Sequence, residues 1–119
     1  MNIDEFLNYV QNIMPNIESK YIEHDILNNE LLAHVFFEDD VCCEIRDIAI
    51  QQDELKLKQI FDLIELALSE GDAYLQEVII ITILAGIGDD KKVLSNSRQY
   101  MGKNTIIKSN EVEKYWGRI

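Results

Sequence analysis

The apolar residues of this chain fall into stripes at helical spacing, separated by short polar turns, and these stripes set out most of the secondary structure. Ile3, Phe6, Leu7, Val10, Ile13 and Met14 share one helical face, and Asn2 with Glu5 three residues on provides a capping box at its start. Pro15 disfavours helical geometry at Met14 but suits the first turn of a new helix. A break is expected there, followed by a second helix over residues 16–24 that buries Ile17 and Tyr21. From Asp25 to Phe37 the pattern divides. Leu27, Leu31 and Val35 keep helical spacing, whereas Asn28-Asn29 and Phe36-Phe37 suit a turn and an anchored loop. Val41, Ile45, Ile48 and Ala49 then form a third stripe, with Glu38, Asp39 and Asp40 ahead of it, where the positive end of a helix dipole favours acids.

Asp53 and Glu54 stand in the same way before Leu57, Ile60, Phe61, Ile64, Ala67 and Leu68, a stripe that ends at Gly71. Asp72 suits the N-cap of the next stretch, up to Ile87, which holds Tyr74, Leu75, Val78, Ile79, Ile80, Ile81, Ile83 and Leu84 and is apolar on nearly every side. Its β-branched residues also suit a strand. The stretch is too long for an ordinary strand and has no second strand to pair with, so the pattern predicts a buried central helix. Val93, Leu94, Ser97, Tyr100 and Met101 mark a sixth helix ending at Gly102, and Asn110 with Glu113 opens a last short one presenting Val112, Tyr115 and Trp116. Turns of two to four residues make consecutive helices antiparallel neighbours. The expected fold is all-α: a single domain, residues 1–119, of six or seven helices packed as antiparallel hairpins in a bundle or short helical repeat.

Length and composition agree with one self-sufficient core, since 119 residues that are 47% hydrophobic, with one Pro and five Gly, make an ordinary globular chain. No apolar run reaches the ~20 residues that cross a bilayer, and the N-terminus lacks the basic start and apolar centre of an export signal, so a cytoplasmic location is expected. Cys42 and Cys43 are neighbours, and a disulfide between them would strain the intervening peptide; both are expected as free thiols.

Charge narrows the choice of partner. Residues 1–90 carry twenty acidic and four basic residues, a net −16, and residues 91–119 carry two acidic and seven basic, a net +5. The overall −11 repels phosphate backbones and anionic membranes and attracts basic proteins, raising the rate at which they associate. Neither direct nucleic-acid nor membrane binding is expected. The acids collect at turns: Glu38, Asp39 and Asp40; Asp53 and Glu54; Glu70 and Asp72; Asp89 and Asp90. In stacked hairpins alternate turns share an edge, which would set residues 38–40 beside 70–72 and 53–54 beside 89–90 as two acidic rims for a partner. Helix capping and dipole compensation account better for any one of these residues, and only the sum of the charges points to a basic partner.

Candidate chemistry is sparse. His24 and His34 are too far apart for a helical metal motif, and His34 with Glu38 is a common i,i+4 pair, so neither a metal nor a cofactor is expected. A thiol beside Glu38, Asp39, Asp40 and Glu44 would have its pKa raised, which opposes activation as a nucleophile and favours a packing role for Cys42 and Cys43. Gly86-Ile87-Gly88 is followed by Asp89 and Asp90, which would repel phosphate. An enzyme is therefore not expected. Tyr115, Trp116 and Ile119 either pack on the core or form a dimer patch, and packing is the expected outcome, with a free protein that is a monomer or at most a weak dimer.

The stretch His34-Val35-Phe36-Phe37, then Gly71-Asp72 followed by Val78 to Leu84, then Tyr100-Met101-Gly102 and Glu113-Lys114-Tyr115-Trp116, resembles a family of small acidic helical bacterial proteins similar to the immunity proteins of polymorphic and contact-dependent toxin systems. The resemblance covers residues 34–119, and Lys103 departs from it, standing where an apolar residue or proline would follow the glycine. It implies a protein that neutralises a toxin, such as a nuclease with a basic cleft, by occluding it through complementary charge; it assigns a role to no individual residue. The competing expectation is a helical adaptor or regulator that binds an endogenous partner.

Overall fold

The computed structural model describes residues 1–119, and every element in it is helical. α1 (Ile3–Ile13) opens with the expected capping box: the Asn2 side chain accepts the Glu5 N–H at 2.9 Å and the Glu5 carboxylate accepts the Asn2 N–H at 3.2 Å. Pro15 precedes α2 (Asn16–Asn28), which runs a turn further than its stripe predicts and stops at Asn29 in the left-handed conformation, φ 57°. The buried ring of His24 fixes that ending. Its Nε2 accepts the Leu32 N–H at 3.0 Å, Asn28 Nδ2 lies 3.3 Å from its Nδ1, and the ring packs on Phe36. The turn after α2 is thereby folded back onto the helix.

α3 (33–50) is one helix with a π turn inside it: Ala33–Phe36 is α-helical, Phe37–Val41 is π-helical and Cys42–Ile50 is α-helical again. The Cys42 N–H donates to the Phe37 carbonyl five residues back. Glu38, Asp39 and Asp40 therefore lie within a helix and not ahead of one, so dipole compensation does not account for them. Phe36 and Phe37 are core residues of that helix, edge to face at 5.9 Å.

α4 (Glu54–Glu70) starts from Asp53, whose carboxylate accepts the Lys56 N–H at 3.2 Å. α5 (73–87) again holds a π turn, Ile79–Leu84, between α-helical Ala73–Val78 and Ala85–Ile87. A π turn takes in one residue more than an α turn, so the buried stripe slips by one position across it, from Leu75, Val78 and Ile79 to Ile83, Leu84 and Ile87. Two stripes in successive phases make the sequence read as apolar all round. The expectation of a helix enclosed on every side is thus corrected, because Ile81 points outward and is 59% exposed. α6 (Lys91–Arg98) follows Asp90, which accepts the N–H groups of Lys92 and Val93.

α7 (Lys103–Tyr115) begins seven residues before Asn110, the residue expected to open it. Its N-cap is Gly102, which has no side chain to offer, and the missing acceptor comes from α4. The Glu65 carboxylate accepts the N–H groups of Asn104 (3.1 Å) and Thr105 (2.8 Å) and the Thr105 hydroxyl (2.8 Å). A Cβ on Gly102 would stand 2.5 Å from the carboxyl carbon of Glu65, so a glycine is what lets the carboxylate approach. Burial pushes the Glu65 carboxyl up, and the hydrogen bonds from Thr105 and Asn104 together outweigh it and hold the group below its ordinary value.

Short turns make α3, α4 and α5 successive antiparallel neighbours, which leaves α3 and α5 side by side in the same direction: His34 meets Thr82, Cys42 meets Thr82 and Ile83, and Arg46 meets Gly86. The two π turns face each other across this seam. α1 lies against α4, α7 covers α4 and the π turn of α5, and α6 lies on α3, where Asn96 donates to the Ala49 carbonyl at 3.0 Å. The buried apolar residues form one continuous cluster, and the 13.3 Å radius of gyration is that of a single packed domain of this length. No helix is long and apolar enough to cross a membrane.

Candidate functional site

The acids at the turns divide by role. Asp53, Asp72 and Asp90 are N-caps with carboxylates committed to backbone N–H groups. Asp89 lies 3.5 Å from Arg118, and Glu70 ends α4, where its carbonyl accepts the N-terminal ammonium at 3.1 Å. Glu38 and Asp40 point to different sides of α3. Glu38 lines a cleft against α5, whereas Asp40 faces α2, where burial first, then Asp39 and Glu23, outweigh Lys20 and His24 and raise its pKa. Glu54 shares a hollow with Gln99 and Tyr100, at the opposite end of α6 from Asp89 and Asp90. Glu54 therefore lies away from Asp89 and Asp90, and the expected rim of residues 53–54 beside 89–90 does not form. Capping makes a testable distinction here: Asp72→Ala should cost about 1 kcal/mol of unfolding free energy and Asp72→Asn only a few tenths, read by urea denaturation. Equal losses would mean that the charge, and not the hydrogen bond to Leu75, is what matters.

One surface does combine charge with exposed apolar groups. α2 turns Ile17, Tyr21 and His24 inward, which leaves Ile22 and Ile26, one turn apart, on its outer side. Leu27, Leu32 and Val35 join them at the elbow between α2 and α3, and Ile26 and Leu27 are 76% and 83% exposed. Residues 16–40, which contain this elbow, hold seven acidic residues and one basic, and that one, Lys20, is paired with Glu44 at 3.4 Å. The sequence pattern misses the elbow because its apolar residues divide between helix and turn readings. The available signal was that α2 carries apolar residues on opposite faces.

A second surface lies at the C-terminus. Tyr115, Trp116 and Ile119, expected to pack on the core, are exposed instead, Tyr115 by 83%. Their helix buries Thr105, Ser109, Val112 and Glu113, and so turns Tyr115 outward. Tyr115 and Trp116 stand edge to face at 5.5 Å and flank an apolar groove, about 470 Å³ in volume, with Ile80, Ile81 and Val112. The chain end is pinned by Arg118, which donates to Glu113 through Nε at 3.0 Å and Nη2 at 2.7 Å, and from Nη2 to the Ala85 carbonyl at 3.1 Å.

The groups weighed for chemistry have structural partners. His34 Nδ1 lies 2.6 Å from the Thr82 hydroxyl, and His24 holds the Leu32 turn. The buried Cys42 thiol points at the Thr82 and Ile83 carbonyls, 3.7 Å from each, and its pKa is pushed up to about 12, by burial first, with Glu38 adding and Arg46 opposing. Such a thiol is a packing donor and not a nucleophile. No three His, Cys, Asp or Glu side chains come together at metal-binding distances.

These features define a small all-α domain with acid-flanked aliphatic residues at one elbow and an aromatic groove near its C-terminus. Residues 7–117 match the family described as Domain of unknown function (DUF7674), and the chain belongs to that family. No curated protein and no solved structure matches it.

Proposed function

We propose that this protein neutralises a basic protein toxin by binding it through the α2–α3 elbow and covering its working surface, the role expected of an immunity protein. The observation that carries this reading is the coincidence of exposed Ile22, Ile26, Leu27, Leu32 and Val35 with a segment of net charge −6. Charge of this kind speeds encounter with a basic surface and sets its orientation. The aliphatic residues then supply the dehydrated centre that slows dissociation, and the surrounding carboxylates supply the rim. Occlusion of this sort makes and breaks no covalent bond.

Co-expression with a basic toxin domain encoded beside this gene tests the proposal. The wild-type chain should restore growth and form a complex whose association slows as salt is raised. The double variant Ile26→Asp, Leu27→Asp should bind at least tenfold more weakly, while Leu55→Asp, on an exposed position of α4, should bind as wild type. Growth arrest undiminished by the wild-type chain would overturn the function. Rescue by the double variant as strong as by wild type would overturn the elbow alone.

A further inference from the structure

The seam between α3 and α5 opens, beside the C-terminal turn, into a cleft of about 470 Å³ lined by His34, Glu38, Arg46, Thr82, Asp89 and Arg118, with Ile81 and Trp116 along its side. Its size is that of small-molecule sites in general. Ile81 and Trp116 also line the apolar groove between α5 and α7, so a polar compartment and an apolar one share a wall.

The charged groups in this cleft are not equivalent. Arg118 is spent: Glu113 takes it in two hydrogen bonds, and Asp89 and the Ala85 carbonyl take the rest of its exposed edge. Arg46 is different. It is one of only four basic residues among the first ninety, it is half-buried, and in a chain so rich in acids it has no ion pair. Its one hydrogen bond, from Nη2 to the Gly86 carbonyl at 3.1 Å, fixes the guanidinium in place and leaves donors over. Glu38, two helical turns earlier on α3, also lines the cleft. A held, partly dehydrated guanidinium next to an aliphatic and indole wall matches one ligand chemistry: a carboxylate carrying an apolar group.

We propose that the cleft binds such a carboxylate, its oxygens on Arg46 and its apolar body between Ile81 and Trp116. Two sources share this chemistry, a free amphipathic acid and the C-terminal end of a peptide with an apolar last residue. The site shares α3 with the elbow but uses none of the elbow's five aliphatic residues, and it does not depend on the elbow's function.

Trp116 is the single tryptophan, so its fluorescence reports directly on the cleft. Titration with 3-phenylpropionate should shift the Trp116 emission saturably, and 3-phenylpropanamide, the same body without the charge, should bind about tenfold more weakly or worse. Arg46→Gln should remove that preference. Equal binding of acid and amide, or a folded Arg46→Gln variant that binds the acid as wild type, would overturn the site. Should Arg46→Gln fail to fold, Ala85→Leu fills the cleft with the guanidinium still present, and must abolish the shift; unchanged binding there overturns the site as well. A tetrapeptide ending in Leu-Phe, compared as free acid and as C-terminal amide, assigns the source. A free-acid peptide that binds at least tenfold tighter than 3-phenylpropionate identifies a chain end, and a weaker one identifies a small acid.

Discussion

Arg118→Ala is expected to lower the unfolding free energy by about 3 kcal/mol, a large share of the stability of a domain this size. The loss comes less from the ion pair than from what remains when it is broken. Glu113 is 2% exposed, and without the guanidinium its carboxylate is buried next to nothing positive. The Ala85 carbonyl, at the end of α5, loses its donor at the same time. Gly88 belongs to the same arrangement, since a Cβ there would collide with the Glu113 carboxylate and stand 2.9 Å from Arg118 Nη2. Urea denaturation followed by far-UV circular dichroism measures the effect. The double variant Arg118→Met, Glu113→Leu should recover most of it, because an apolar pair satisfies the site about as well as a buried ionic one. A loss below about 1 kcal/mol in Arg118→Ala would mean that water reaches Glu113 and that the C-terminal turn is held by something else.

The other large effect is expected at Glu65. Glu65→Ala should cost about 2 kcal/mol, roughly half from the lost helix cap and half from the Thr105 hydroxyl, which is fully buried and would be left without an acceptor. Glu65→Gln keeps one acceptor oxygen and should lose less. The pH dependence separates the two contributions. The folded-state pKa of Glu65 is lowered, so the group adds stability that is fully present above its unfolded value and disappears as the pH falls through the lowered folded value. Wild type should therefore lose more stability than Glu65→Ala does between neutral pH and the acid side of the carboxylate range. Parallel stability curves for the two proteins would rule out the carboxylate as the cap of α7.

The residues behind these two predictions show what the chain's pattern reveals and what it hides. The helical class, the seven segments and the caps at Asn2, Asp53 and Asp72 are readable because stripe, cap and stop all lie within a few residues of one another. The start of α7 is hidden from the pattern because its cap lies thirty-nine residues before the N–H it accepts, in the middle of another helix. The burial of Glu113 and its pairing with Arg118 carry no periodic signal, and Asn110 with Glu113 merely imitates a capping box. Residues 38–40 read as a helix start because acids before a stripe normally are one; an interior π turn was invisible to a pattern built on 3.6 residues per turn. The acidic elbow and the Arg46 cleft share a cause for being missed. Each draws residues from two elements whose relative placement is a tertiary property, and Arg46 in the sequence is simply a base among acids.

The paired π turns also bear on how this chain can vary in length. Each holds one surplus residue that the core does not use, with the helical halves on either side already in phase. Removing Asp39, or Ile81, would close the turn to regular α geometry and leave the interior as it is. The surface would change sharply, since one deletion removes a charge beside the elbow and the other takes away the wall between cleft and groove. Lineages that gain or lose a residue at these two places can thus trade binding faces while inheriting the same interior.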